Sequence, residues 1–307
     1  MKHCNTILTT PVGVLNFKSL GIKDIPLLIR FFSQYPSRSC DFSVGGTVMW
    51  ADYFHYEYCI FRDTLFIKGA VPDSRTVIFY KPIGELSMNE SEALISGYCR
   101  CSNVEGMIIY PEEFSPDSEP ESTPDSPLIN DWKEYLYEAE KFRHFSGRKM
   151  EKKRNHLNYF NTHYPKHVMR SIQESDIPRL IAFTLAFDTM HPGNKLLEYE
   201  CEATMDVLKN WNCFPFTGVM VEIDNMIAGY SFGEFTGDTF FCHVEKGNIE
   251  YRGIYQALAS GMCNHAMSLH PEIRYLNREE DMGDESLRES KMSYHPILFV
   301  GKRVRNI

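Results

Sequence analysis

At 307 residues the chain is long enough for two domains or one large one, and it can bury roughly three quarters of its unfolded surface. Its 43% hydrophobic and 24% charged residues, with a net charge of −9, give the balance of a soluble globular protein. No apolar run approaches the ~20 residues that cross a bilayer, "MKHCNTILTTPVGVL" has no leader-like apolar core, and the nine scattered cysteines include no CxxC pair. These features argue against a membrane span, a secretory leader and a zinc site, and predict a cytoplasmic protein with reduced thiols.

"DIPLLIRF" at 24–31 returns as "DIPRLIAF" at 176–183, and Lys18-Ser19-Leu20 precedes the first where Arg170-Ser171-Ile172 precedes the second. Each copy reads as strand, cap and helix. Asp24 and Asp176 are expected to cap the first free amides, and Pro26 and Pro178 fit the first helical turn, where no backbone donor is needed. The repeat predicts two related domains, 1–145 and 146–307. Between them "PEEFSPDSEPESTPDSPLIND" (111–131) is rich in Pro, Ser and acids without any period and reads as a surface loop.

The charge then changes sign. "KFRHFSGRKMEKKRN" (141–155) carries seven Lys or Arg against Glu151 alone. Helical spacing gathers Lys149, Lys152 and Lys153 on one face, with Met150, Leu157 and Phe160 on another, between Gly147 and Pro165 as stop signals. A solvated face explains such a run as well. The alternative is a phosphate-binding helix, with Lys149, Lys152, Lys153, Arg154 and Asn155 lining a groove between the domains. His163 and His167 have the spacing of a metal pair, but Pro165 interrupts the helix that would align them, so no metal site is expected.

The second half is easier to parse. A strand at 167–172 precedes the helix opened by Asp176; a second helix covers 196–211; strands follow at 216–224, 226–237 and 238–247, the first two joined by a tight Asp224-Asn225 turn. A helix (253–269), a strand (273–279), a helix (284–294) and a strand (295–302) complete the order β-α-α-β-β-β-α-β-α-β.

That order resembles the GNAT acyltransferase fold. "NREEDMGDESLRESKMSYHP" (277–296) with "KKRNHLNYF" (152–160) resembles the family of the phosphatidylglycerol lysyltransferase C-terminal domain, which is similar to other aminoacyl-tRNA-dependent transferases. The resemblance covers most of the chain and is densest in 147–307. It implies an α+β protein of two tandem GNAT-like domains, each a mainly antiparallel mixed sheet flanked by helices, with the repeated helix opening each copy.

Acyl transfer needs an activated donor, an acceptor relieved of its proton, and donors aimed at the developing oxyanion. In GNAT enzymes a glycine-rich turn presents backbone amides to the pyrophosphate of coenzyme A. Here that turn is "IEYRGIYQAL", where Arg252 and Gly253 are the phosphate-binding candidates and Tyr255 stands where a second small residue would be wanted. A basic helix beside so poor a pyrophosphate loop suits a donor carried on tRNA. Under the resemblance, Asn277, Arg278, Glu280, Asp281 and Arg288 hold the amino-acid moiety, Lys291 or Tyr294 serves the oxyanion, and Glu234, His243 or Glu245 supplies a base. An ion-pair network stapling the last helix to the sheet is the plainer explanation of the same residues.

Three functions fit: an aminoacyl transferase using aminoacyl-tRNA, an N-acetyltransferase using acetyl-coenzyme A, or a non-catalytic module that binds nucleotide or RNA. No tightly bound cofactor is expected. The acceptor would be a small molecule, a peptide or a lipid head group.

Overall fold

The structure, a computed structural model, describes residues 15–70, 76–118, 120–123, 127–190 and 193–307. The leader reading rests largely on residues 1–14, outside the described residues. The first half runs β1 (Lys18–Ser19), α1 (Ile25–Gln34), α2 (Val44–Met49), β2 (Glu57–Phe61), β3 (Thr64–Ala70), β4 (Thr76–Tyr80), β5 (Ile83–Gly84), α3 (Met88–Ser102), β6 (Glu105–Phe114) and β7 (Leu128–Glu138). α4 (Ala139–Phe142) and α5 (Glu151–His163) follow. The second half is β8 (Val168–Ser171), α6 (Ile177–Thr189), α7 (Lys195–Lys209), β9 (Thr217–Ile223), β10 (Met226–Thr236), β11 (Thr239–Gly247), α8 (Ile254–Leu269), β12 (Tyr275–Glu280), α9 (Glu285–Met292) and β13 (Leu298–Asn306).

Both repeated stretches form a short strand, a turn of 3-10 helix and then a helix with proline in its first turn. The two aspartates do not cap those helices forward. They reach back: Asp24 Oδ2 accepts from Gly21 N at 3.1 Å and Asp176 Oδ2 from Gln173 N at 2.9 Å. Each also takes a partner from its own half, Tyr58 Oη at 2.6 Å for Asp24 and the Arg170 fork at 2.6 and 2.7 Å for Asp176. The aspartates fix how the chain turns from strand into helix, because the 3-10 turn leaves the amides ahead of it for a side chain to satisfy.

The strands join in one sheet, in the order β1-β2-β3-β4-β6-β13-β7-β12-β11-β10-β9-β8, with β5 on β3. Read from either edge, the sequence of pairings is the same. β4–β6 and β11–β12 are parallel, and the other pairs among the described residues are antiparallel. At the centre β13 lies between β6 and β7, while β7 lies between β13 and β12. The stretch expected as a loop at 111–131 is shorter than anticipated, since β6 runs to Phe114 and β7 begins at Leu128. Strand pairing with β13 overrides the poor local strand propensity of Pro111 and Glu112.

On one face α1, α2, α6 and α7 share a core: Leu28, Phe31 and Phe32 meet Leu180, Val207 and Leu208 over Tyr230 and Phe232. The other face carries α4 and α8 over Tyr135, Tyr137 and Phe240. α5 packs on α8, so the basic helix does not line a groove between the halves.

The first of these faces is tight where the halves touch. A Cβ built on Gly45, in α2, would lie 2.3 Å from Nε2 of the buried His243 of β11. Gly45→Ala should therefore destabilise the protein by about 1–3 kcal/mol, the usual cost of overpacking; urea unfolding measures it, and an unchanged midpoint would mean that the two elements separate freely.

Candidate functional site

β11 and β12 stay paired only from Thr239–Phe241 to Tyr275–Asn277, and past that point both strands are irregular. In β11 the pairing to β10 jumps from Val244 to Cys242, leaving His243 as a bulge residue. The bulge flips the alternation: Phe240 and Cys242 face the α8 core, whereas Val244 faces the α1/α6 core. In β12 the register slips between Asn277 and Glu280, and Glu279 has φ +57. A non-glycine residue in that conformation is held there by its surroundings. Charged side chains consequently leave the strand ends toward both faces of the sheet.

The face toward α2 is rich in carboxylates. His243 Nε2 donates to Glu234 Oε1 at 2.9 Å and Nδ1 to Glu279 Oε1 at 2.6 Å, and Glu234 Oε1 also accepts from Gly45 N at 2.6 Å. Burial alone would pull the imidazole down, but the Glu279 charge and the bonds to both carboxylates raise it to about 9. Three strands away, the buried Lys302 ammonium donates to Glu134, to Asp41 at 2.5 Å and to Ser39 at 2.9 Å, with Glu280 3.4 Å off. Asn277 Nδ2 bonds Glu134 at 2.5 Å and the Arg38 carbonyl at 2.8 Å. Burial lifts Glu280 to about 8; Lys302 pulls it down, while Asp41 and Glu134 push it further up. Cys40, Glu134 and Glu280 stand close enough together to hold a metal ion, yet Lys302 already supplies the cation there. Around this floor stand partly exposed rings, among them Phe54, Tyr80 and Trp132, with Tyr56 and Tyr80 sharing a hydroxyl contact.

The opposite face is rich in cations. Arg278 Nη2 pairs with Glu245 Oε1 at 2.6 Å, while Nη1 and Glu245 Oε2 are buried and meet no hydrogen-bond partner among the described residues. Tyr294 accepts from Gln256 at 2.9 Å, and Lys153 of α5 sits 3.7 Å over its ring. Burial and the Arg278 charge lower both Lys153 and Lys291 to about 8. Lys291 Nζ donates to the carbonyl oxygens of Arg278, at 2.6 Å, and Glu280, and so pins the irregular end of β12. Asp281 accepts from Arg288 at 2.8 and 2.9 Å and from the Tyr135 hydroxyl; Arg288 also holds Asp131 at 2.9 Å. That pair ties α9 to β7 and β12, the stapling role weighed for the acid-rich tail.

The remaining basic candidates separate. Lys149, Lys152, Asn155 and Arg252 are exposed, and Arg154 donates to the carbonyls of Phe145 at 2.5 Å and Gly147 at 3.1 Å. Arg252 stacks 4.5 Å over Tyr159. Gly253, at φ +92, starts α8, and a Cβ there would lie 2.4 Å from the His156 carbonyl of α5 and 3.0 Å from Phe160 Cβ. The amides of Tyr251 and Ile254 bond within the turn, to Asn248 and Tyr251 carbonyls at 3.1 and 2.9 Å. α5 thus closes the turn where a coenzyme A pyrophosphate would have to meet backbone.

Residues 32–302 match the family described as "Phosphatidylglycerol lysyltransferase, C-terminal". The chain belongs to that family. A conserved protein of unknown function from Bacteroides thetaiotaomicron VPI-5482 superposes with TM-score 0.82 at 21% identity, over 95% of this chain and 99% of that one. The C-terminal domain of a putative lysylphosphatidylglycerol synthetase from Agrobacterium fabrum gives 0.63 at 11% identity, over 92% and 91%. An uncharacterized protein of Mycoplasmoides gallisepticum is 30% identical over 171 residues, 54% of this chain and 53% of that protein, so the chain spans about half the length of the curated relative it matches.

In this lysyltransferase-family domain, sequence reading placed His243 and Glu234 on neighbouring strands but missed Asp41, Glu134, Glu279 and Lys302. Asp41 and Lys302 are 261 residues apart, and no local pattern joins them. The available signal was chemical: one lysine inside the apolar strand "HPILFVGK" and one glutamate inside "WKEYLY".

Two outcomes follow from the buried charges. Lys302→Met leaves Asp41 and Glu134 without their counter-charge and should cost roughly 3–5 kcal/mol in urea unfolding; a loss under about 1 kcal/mol would mean that water reaches the cluster. For His243 the folded value of about 9 exceeds the ordinary 6.5, so its contribution is complete below pH 6.5 and fades as pH rises through 9. The stability difference between wild type and His243→Gln should shrink over that window, and a difference independent of pH would refute the doubly paired imidazolium.

Proposed function

We propose that the domain transfers an aminoacyl group from aminoacyl-tRNA to an amine or hydroxyl acceptor, a small molecule, a peptide or a lipid head group, and that it comprises two GNAT-like units, 1–145 and 146–307, with exchanged last strands. Membership of the family supports a transferase. The donor assignment rests on one observation: α5 covers the Gly253 turn, and that turn's own amides are partly satisfied. A pyrophosphate has no amide cradle there, which disfavours acetyl-coenzyme A.

Glu279, about one fifth exposed, suits the ammonium of an aminoacyl ester, which leaves the similarly exposed Glu280 for proton transfer. In the proposed reaction the acceptor nitrogen or oxygen attacks the ester carbonyl and gives its proton to Glu280. The ester C–O bond then breaks, and the RNA 3′-terminal hydroxyl leaves with a proton. A carboxyl lifted to about 8 is poised to take and return a proton near neutral pH. His243 holds Glu279 in position. Lys291 acts on the same strand end through the carbonyls it binds, while Tyr294 lies on the cationic face.

The test is transfer of labelled amino acid from a mixed pool of charged tRNA to hydroxylamine and to lipid, peptide and small-amine extracts, run beside labelled acetyl-coenzyme A. Label should leave the RNA in an enzyme-dependent way, with no acetyl transfer, and Glu280→Gln should lower the rate by about 10²-fold or more while the fold persists. Acetyl transfer instead, or RNA binding without turnover, would replace this function with one of the other two.

A further inference from the structure

The cationic face of the strand ends carries more positive charge than it neutralises. Arg278, Lys153 and Lys291 converge there from β12, α5 and α9, and Glu245 pairs with Arg278. Lys291 is bound by carbonyl oxygens and Arg278 shares one nitrogen with Glu245, but Arg278 Nη1 meets no hydrogen-bond partner among the described residues. Among the described residues the half-buried Lys153 ammonium faces no carboxylate and donates no hydrogen bond; it lies over the Tyr294 ring. Tyr137, Tyr255, Tyr294 and Cys242, also close by, are raised by burial and offer no negative charge, while Glu279, Glu280 and Asp281 act on Lys291 alone of the three cations.

Keeping two cations side by side with one counter-charge is unfavourable, and Lys153 is held down first by burial and then by the Arg278 charge beside it. A bound anion removes it. Outward from Lys153, the exposed Arg148, Lys149 and Lys152, which have no ion-pair partner among the described residues, continue the charge into the start of α5. A single small anion would use only the inner pair, whereas a chain of phosphates would use the whole track.

We infer that Lys153 and the free nitrogen of Arg278 form a binding site for a phosphate group of a nucleotide chain, entered along Arg148, Lys149 and Lys152. This deepens the aminoacyl-tRNA reading and rests on it for the choice of RNA. Arg278 and Glu279 are consecutive and leave the strand toward opposite faces, so a phosphate held by Arg278 lies across the strand end from the carboxylates proposed for the ester.

Calorimetric titration of the intact chain with inorganic phosphate, adenosine 5′-monophosphate and sn-glycerol 3-phosphate tests the site directly. The nucleotide should bind best, Lys153→Met should weaken it about tenfold or more, and Lys153→Arg should restore most of the affinity. The melting temperature of the unliganded Met variant shows whether it is folded; Lys149→Met/Lys152→Met, on the exposed track, supplies a second variant whose nucleotide affinity should fall less but whose tRNA affinity should lose salt dependence. No binding of any probe at millimolar concentration, or binding indifferent to Lys153, overturns the site. Preference for glycerol phosphate overturns the nucleotide assignment in favour of a lipid head group. Nucleotide binding that depends on Lys153, in a protein that transfers nothing from charged tRNA, leaves the site standing and removes only the proposed reaction.

Discussion

Lys302 brings its ammonium into the middle of the sheet from the last strand, which lies between two strands of the first half, and the surrounding structure is arranged to keep that charge satisfied. Its partners come from the 3-10 turn before α2 (Ser39 and Asp41), from β7 (Glu134) and, slightly farther off, from β12 (Glu280). Taking these groups out of water is expensive, and only complete pairing offsets it. Asp41 and Glu134 hold the ammonium in its charged form against burial. The cluster therefore specifies one register of β13 between β6 and β7, since a one-residue slip would turn Lys302 into the opposite core.

From that anchor the reactive geometry spreads sideways. Asn277 links Glu134 to the Arg38 carbonyl, and its Oδ1 accepts from Glu279 N at 2.7 Å. Lys291 pins the neighbouring carbonyls from the other face. Together these bonds hold Glu279 at positive φ, against His243, whose second nitrogen meets Glu234 and through it the first turn of α2. The chain of contacts crosses from one half of the protein to the other. Either half alone would leave buried charges without partners, which gives a physical reason for the joined sheet.

The two faces of the β11–β12 ends differ in charge because the bulge at His243 and the slip in β12 re-aim successive side chains. Carboxylates and aromatic rings lie toward α2; Arg278, Lys153 and Lys291 lie toward α8 and α9. α5 takes part in both outcomes on the cationic side. Its inner surface closes the Gly253 turn, and its first turn brings Lys153 over Tyr294. The same packing that closes the Gly253 turn sets the Lys153 ammonium over the Tyr294 ring.

Local chemistry alone determined a good deal: the element order of the second half, the Asp224-Asn225 turn, the Asp-Pro helix starts and the basic character of α5 all follow from periodicity, turn residues and charge within a few positions. The family signature in 277–296 lay in one contiguous stretch for the same reason. Tertiary structure decided the rest. The reversed role of Asp24 and Asp176 depends on Tyr58 and Arg170; the strand at Pro111 depends on β13; the partners of Lys302 and His243 lie 9 to 263 residues away. A buried charge is a demand for a partner that the sequence states without naming who meets it, because the partner is chosen by strand order and register, and those are fixed only when both halves close over one sheet.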